Sequence, residues 1–217
     1  MNPDLVIFDC DGVLIDSETI ACAVEAEELN RIGFTTTKEE IARRFCGVPA
    51  PDMYAVIEAE LGRALPEGFT NHVEDRIVAR FRSDLCAIPG VARTIEALPW
   101  RFCVASSSAP VKLCLGLIES GLFDHFYPHV YSAVLVDRGK PAPDLFLHAA
   151  ESMQAGTCVV VEDSLAGVRA ARAADMPVLG FFGGSHCAAD HAAMLEEAGA
   201  HAVFDRFEDL PEIVRGL

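Results

Sequence analysis

Apolar positions along this chain follow two rhythms, and the first one marks a buried strand. Leu5-Val6-Ile7-Phe8 is apolar at every position. That is too uniform for a strand with one wet face, and it suits a strand covered on both faces of a parallel sheet. The run ends in Asp9-Cys10-Asp11-Gly12. From residue 16 the rhythm turns helical. Asp16 or Ser17 is placed to cap a helix that runs to Gly33, a residue suited to a C-terminal stop. Thr37-Lys38-Glu39-Glu40 has the capping-box pattern and opens a short helix with Ile41 and Phe45 on one face. After a break at 47–51, a third helix is predicted from about residue 52 to residue 62. A fourth covers about 71–85, where Val73, Ile77, Phe81 and Leu85 recur every four residues. Nothing between residues 16 and 87 has the pattern of a strand.

From residue 88 strands and helices alternate. Residues 102–105 form a short apolar strand that ends at Ser106-Ser107-Ser108, before a helix opened by Pro110. Residues 131–136 read as extended, followed by Gly139-Lys140-Pro141-Ala142-Pro143 and a helix through Met153. Residues 158–161 are again fully apolar and end at Glu162-Asp163-Ser164, before an alanine-rich helix. Strands at 178–182 and 202–204 complete the set, with a helix between them. This alternation predicts an α/β fold, a doubly wound parallel sheet. The helical block at 16–87 is then an insertion in a core made of 1–15 and 88–217.

Composition narrows the classes of function. The chain has 217 residues, 51% hydrophobic and 23% charged, enough for a sizeable core and without a disorder signature. No apolar run approaches the roughly 18 residues that would span a bilayer, and no basic, signal-like region opens the chain, so a cytoplasmic protein is expected. None of the eight cysteines belongs to a Cys-x-x-Cys pair, and they read as buried thiols, not disulfides or zinc ligands. A formal charge of −16 argues against nucleic acid as a partner. It also means that an anionic ligand needs a local cation, and no protein partner is legible. Ser185-His186-Cys187-Ala188-Ala189-Asp190-His191 has metal-ligating residue types, but after Gly183-Gly184 it reads as the start of a helix.

Ligands of an open parallel sheet bind beyond the carboxyl ends of its strands. Those ends carry Asp9 with Asp11, then Ser106, with Lys140 in a loop of the same half, then Glu162 with Asp163. Asp9 and Asp11 share one side of an extended chain, and carboxylates so close need a shared proton or a cation. Gly12 allows a tight turn or a close ligand. Each group has a plain alternative: Asp-x-Asp-Gly as a turn, the serines and Glu162-Asp163-Ser164 as helix caps, Lys140 as a solvated loop residue. Together they form an inventory for one site. The carboxylates suit a hard cation such as Mg²⁺, and Ser106 with helix-start N–H groups suits phosphate oxygens.

In order, Asp9-Cys10-Asp11-Gly12-Val13-Leu14-Ile15-Asp16-Ser17-Glu18, Ser106, Gly139-Lys140-Pro141 and Glu162-Asp163-Ser164 resemble the four motifs of the haloacid dehalogenase superfamily. The closest likeness is to the subgroup of β-phosphoglucomutase and small sugar-phosphate phosphatases. The resemblance spans essentially the whole chain and implies a Rossmann-like core with a helical cap at 16–87. It implies that Asp9 is a nucleophile forming an aspartyl phosphate, and that Asp11 is general acid and then base. Lys140 would neutralise charge, and Ser106, Ser107 and Gly12 would meet the phosphate. It further implies Mg²⁺ held by Asp9, Asp11, Asp163 and Glu162, directly or through water, and a cis peptide at Lys140-Pro141.

Within that family, Asp11 and the acidic pair Glu162-Asp163 favour phosphoryl transfer over dehalogenation. Lys38, the one lysine of the helical block, sits in a capping box and argues against phosphonate hydrolysis by a cap lysine. The β-phosphoglucomutases carry a cap-loop arginine, a cap-helix histidine and a Lys-Asn pair where this chain has Ala50, Ala21 and Ala109-Pro110. A phosphatase is therefore expected, with a phosphomutase as the alternative and an inactive binding protein on the same scaffold as a second. Its expected substrate is a small phosphomonoester of a sugar, sugar acid or polyol. Arg44 or Arg43, ahead of the loop at Gly47, is the expected contact for an anionic substrate group.

Overall fold

Leu5–Phe8 forms β1, and all four of its side chains are buried, as a run apolar on both faces requires. In the computed structural model, which describes residues 2–45, 48 and 50–217, this strand lies at the middle of a parallel sheet. The other strands are β2 (Arg101–Ser106), β3 (Val130–Ser132), β4 (Cys158–Glu162), β5 (Val178–Phe181) and β6 (Ala202–Phe204). Their order across the sheet is β3-β2-β1-β4-β5-β6. Phe8 lies opposite Val104 of β2 on one side and Val161 of β4 on the other. The order reverses direction between β1 and β4, so the ligand crevice of such a sheet opens beyond the ends of these strands.

Four helices follow β1: α1 (Glu18–Arg31), α2 (Lys38–Phe45), α3 (Ala50–Leu61) and α4 (Phe69–Asp84). Then come α5 (Val91–Ala97) before β2, α6 (Pro110–Glu119) and α7 (Phe123–Phe126) before β3, and α8 (Asp144–Ser152) before β4. The remaining helices are α9 (Leu165–Ala173), α10 (His191–Ala198) and α11 (Leu210–Gly216). Alternate side chains of β1 serve opposite faces of the sheet. Leu5 and Ile7 join a cluster with Cys103, Val160, Leu145 and Phe146. Val6 and Phe8 join a second cluster that continues through Leu14 and Ile15 into Leu29, Ile57, Val73 and Phe81. The helical block thus shares one apolar interior with a face of the sheet. The chain leaves for that block and returns side by side: Asp16 N–H donates to Cys86 O at 3.0 Å and Ile88 N–H to Leu14 O at 2.9 Å.

Local expectations meet the structure unevenly. Gly33 has φ +91°, and Thr37 Oγ1 accepts from Glu40 N–H at 3.2 Å, as a helix stop and a capping box require. Ser17 caps no helix by its side chain. Its hydroxyl is drawn away to Asp11, donating to Oδ1 at 2.6 Å. Extension at 131–136 ends at Ser132, whose Oγ accepts from Val134 N–H and winds Ala133–Leu135 into a 3₁₀ turn. Residues 185–190 do not start a helix; they form turns, and α10 begins only at His191. Lys140-Pro141 is cis, and so is Tyr127-Pro128. The seven described cysteines are free, but Cys86 is exposed and Cys114 and Cys187 are half-buried. The reading of all the cysteines as buried thiols therefore fails for these three. Among the described residues no helix is long and apolar enough to cross a membrane.

Phe8 connects β1 to the helices beneath it, meeting the Phe126 ring edge-on and stacking on Phe207, each at 6.1 Å between centroids. Phe8→Ala is expected to lower the unfolding free energy by about 3–5 kcal/mol, as large core cavities do. Val111→Ala, at a position 76% exposed, should change it by less than about 0.5 kcal/mol. Urea denaturation of the two variants checks both values.

Candidate active site

Asp9 continues β1 by one residue, and its N–H donates to Val161 O at 2.9 Å, so its side chain starts where the sheet stops. Lys140 reaches the same point from the loop after β3. Its Nζ donates to Asp9 Oδ1 at 2.6 Å, Glu162 Oε1 at 2.5 Å and Ala105 O at 3.0 Å. An ammonium has three hydrogens, and these three acceptors belong to the ends of β1, β4 and β2. Burial disfavours the charged lysine, but Asp9 and Glu162 outweigh it and raise its pKa. Lys140 is therefore a buried, paired charge and not the solvated loop residue of the plain alternative. For Asp9 the balance is opposite: burial pushes its pKa well up, Lys140 opposes, and Glu162, Asp163 and Asp11 add to the rise.

Asp11 sits in a different environment. Ser17 Oγ donates to its Oδ1 and Ser108 Oγ to its Oδ2, both at 2.6 Å. Lys112 Nζ lies 3.5 Å from Oδ1. Burial alone would raise the pKa of Asp11, but Lys112, Ser108 and Ser17 outweigh it and hold the carboxyl below its usual range. Lys112 is a site residue that sequence reasoning missed. It lies in the first turn of α6, four residues after Ser108, and its own pKa is raised because Asp11 and Glu18 outweigh its burial. Ser106 Oγ accepts from Ser108 N–H at 3.1 Å and so shapes the turn from which Ser108 reaches Asp11.

Glu162 and Asp163 end β4. Besides Lys140, Glu162 accepts from Ser164 N–H at 3.0 Å and Ser164 Oγ at 2.9 Å. Ser164 also caps α9, accepting from Gly167 N–H at 3.0 Å. Asp163 is held from the loop after β5. His186 Nε2 lies 3.0 Å from Asp163 Oδ2, and His191 Nε2 lies 2.7 Å from its carbonyl oxygen. Two glycines make room: Gly12, at φ +77°, and Gly167 each lack a Cβ that would overlap the carboxylates of Asp163 and Glu162, respectively. Asp9, Glu162 and Asp163 are all buried and bring one oxygen each within 4.8 Å of the others. Counting Asp11, four carboxylates face two lysines, and Lys140 alone does not offset the burial of Asp9. A divalent cation fits this deficit, and an all-oxygen donor set suits a hard ion such as Mg²⁺.

These groups floor a cavity of about 500 Å³ whose upper wall comes from α1–α4. Ser106, Ser107, Ser108, Lys112, Lys140 and Asp163 line the floor. Met53, Val73 and Ile77 make an apolar wall, broken by Glu25, which accepts from Tyr54 Oη at 2.8 Å. The other oxygen of Glu25, Oε2, is buried without a hydrogen-bond partner. Burial pushes the Glu25 pKa up to about 7, against Tyr54 and Lys112. Arg44 does not line this cavity. Its guanidinium is spent on Glu60, with Nη1 donating to Oε2 at 3.2 Å, and lies over the Phe45 ring. The structure therefore does not bring Arg44 to the cavity where a substrate contact was expected of it. Gly47, the other cap residue expected to meet substrate, lies outside the described residues.

Comparison with known proteins agrees with this geometry. Residues 3–175 match the model of the haloacid dehalogenase-like hydrolase family. The 6-phosphogluconate phosphatase of Escherichia coli (strain K12) is 31% identical over 213 residues, which covers 97% of this chain and 94% of that protein. A haloacid dehalogenase-like protein of unknown function from Agrobacterium tumefaciens str. C58 superposes with a TM-score of 0.89 at 39% identity, covering 99% of both chains. A family hydrolase of Deinococcus radiodurans R1, solved with bound phosphate and sodium, gives 0.81 at 32% identity over 98% of this chain and 95% of that one. Sheet order, the acids at the strand ends and the buried lysine thus coincide with a family match across most of the chain, and the protein belongs to the haloacid dehalogenase-like hydrolases.

Proposed function

We propose that the protein is a Mg²⁺-dependent phosphatase that hydrolyses a small polyhydroxylated phosphomonoester through an aspartyl phosphate on Asp9. The observation that carries this reading is the buried Lys140, which bonds Asp9 and Glu162 at the floor of the cavity. Asp9 attacks phosphorus, and Lys140 offsets charge on the attacking carboxylate and on the phosphoryl oxygens. Ser106, Ser107 and the backbone at Gly12 meet the phosphoryl group. Asp9, the Asp11 carbonyl and Asp163 would hold Mg²⁺, with Glu162 direct or through water; when bound, the ion supplies further charge neutralisation at phosphorus.

Asp11 protonates the leaving alkoxide and then takes a proton from the water that releases phosphate. Its bonds to Ser17, Ser108 and Lys112 hold it as a carboxylate, so it reaches the acid form only by leaving these donors when substrate enters. Helices α1–α4 act as the cap over the floor. The polar break in their wall supports a hydroxyl-bearing substrate, since Glu25 Oε2 is a buried polar atom without a partner. A hydroxyl can donate to the carboxylate or accept from the carboxylic acid. Three positions bear on the mutase alternative. Ala21, Ala50 and Ala109 line the cavity, and none brings a polar side chain for a second phosphate. Among the described residues, the only cationic side chains in the lining are Lys112 and Lys140, both beside the floor acids. A phosphatase therefore fits better than a bisphosphate-handling mutase.

Three variants test this reading on a panel of sugar, sugar-acid and polyol phosphates with Mg²⁺. Asp9→Asn should reduce turnover to background while the fold and melting temperature persist, and retained turnover would overturn the scheme. Asp11→Asn should slow alkyl phosphates by about 10²–10⁴-fold. It should slow the first-turnover release of nitrophenolate from nitrophenyl phosphate far less, because that leaving group needs no proton. Glu25→Ala should raise KM for the best polyol phosphate by roughly 3–10-fold with kcat nearly unchanged, as loss of one hydrogen bond to substrate implies. An unchanged KM would place the hydroxyl contact elsewhere in the cavity.

A further inference from the structure

The turns between β5 and α10 carry chemistry that the phosphatase scheme does not use. His186, Cys187 and His191 each offer a ligand atom, and these atoms all lie within 4.8 Å of one another. Cys187 Sγ is 3.4 Å from His186 Nε2, and the two imidazole rings are 5.6 Å apart at an interplanar angle of 86°. A tetrahedral zinc ion, with bonds of about 2.0–2.3 Å, sets neighbouring sulfur and nitrogen ligands about 3.5 Å apart. Local structure explains how neighbours in sequence converge. Cys187 N–H donates to Gly184 O and His191 N–H to Ala188 O, each at 3.0 Å, so the chain turns twice between the first ligand and the third. Gly184 has no Cβ to overlap the His186 ring. Cys187 and His191 are half-buried and the His186 side chain is 1% exposed, which shields the cluster from bulk water.

We propose that His186, Cys187 and His191 form a second metal site, selective for zinc or a similar thiophilic divalent ion, with a fourth position open to water. Imidazole and thiolate select such ions, whereas the oxygen donors of Asp9, Glu162 and Asp163 suit Mg²⁺. The two sites meet at Asp163. His186 holds its carboxylate at 3.0 Å and His191 its carbonyl oxygen at 2.7 Å. An ion that draws on these imidazoles loosens Asp163 and sets a second positive charge beside the first, so the two metals antagonise each other. This antagonism rests on the phosphatase reading, and binding at the second site does not.

Cobalt(II) titration of the reduced full-length protein, with and without saturating Mg²⁺, tests the site without reference to activity, and the thiolate band separates it from the all-oxygen site. One equivalent should produce the thiolate-to-cobalt charge-transfer absorption of a tetrahedral site, and zinc should bleach it. Cys187→Ala should remove that absorption and weaken cobalt binding at least tenfold, and His191→Gln should weaken it similarly. Absence of the thiolate band in the unaltered protein would overturn the proposal. So would a band that persists in Cys187→Ala, which would belong to another cysteine such as the exposed Cys86. In turnover assays, one equivalent of zinc should raise the Mg²⁺ needed for half-maximal rate at least threefold, and leave Cys187→Ala unaffected. An equal shift in both proteins would refute the coupling. If no phosphomonoester is turned over, the cobalt titration still decides the site.

Discussion

A single buried ammonium ties the ends of three strands together. Lys140 Nζ bonds Asp9 beyond β1, Ala105 in β2 and Glu162 in β4. Removing one partner of a buried ion pair typically costs about 3–5 kcal/mol, because the other is left uncompensated. The arrangement is therefore mutually dependent: the strand ends set the lysine, and the lysine allows acids to gather in a buried place. Gly12 and Gly167 complete it by admitting the carboxylates of Asp163 and Glu162 where any side chain would collide with them.

The same constraint gives the two leading acids different characters. Asp9 is buried among carboxylates with Lys140 as its counter-charge, and its pKa is driven up. Asp11, two residues on, has two hydroxyl donors and Lys112, and its pKa is driven down. On the proposed mechanism, Asp9 would depend on additional positive charge to attack as an anion, which would give a physical role to a divalent cation. Asp11 would rest as a base and depend on rearrangement to act as an acid. Glu25 and Tyr54 lie on the far wall of the cavity, where the fold leaves one Glu25 oxygen unpaired; on the proposed function a substrate hydroxyl would be its partner.

Much of this was legible because strand ends in a parallel sheet converge on one crevice. The apolar run at Leu5 to Phe8, the acids after it, and Lys140 and Glu162-Asp163 at neighbouring ends could be placed together by topology alone. Lys112 could not. Its link to Asp11 depends on the turn made by Ser106 and Ser108, and a Ser–Lys spacing of four at a helix start is too common to single out. Ser17 was read as a cap, but a stronger acceptor, Asp11, takes its hydroxyl. Arg44 was read toward the cavity by its place before Gly47, but Glu60 on the neighbouring helix claims it. The short helices α5, α7 and α11 span four to seven residues, too few for periodicity to distinguish from loop. The cluster of His186, Cys187 and His191 depended on two tight turns that residue pattern alone gave no reason to expect.

Covalent attack by Asp9 is the central claim of this account, and the stereochemistry at phosphorus tests it most directly. Two successive in-line displacements, first by Asp9 and then by water, return phosphorus to its starting configuration. A phosphomonoester made chiral at phosphorus with oxygen isotopes should therefore give inorganic phosphate with net retention of configuration. Net inversion would mean that water attacks directly, and Asp9 would then be a metal ligand or a base but not the nucleophile.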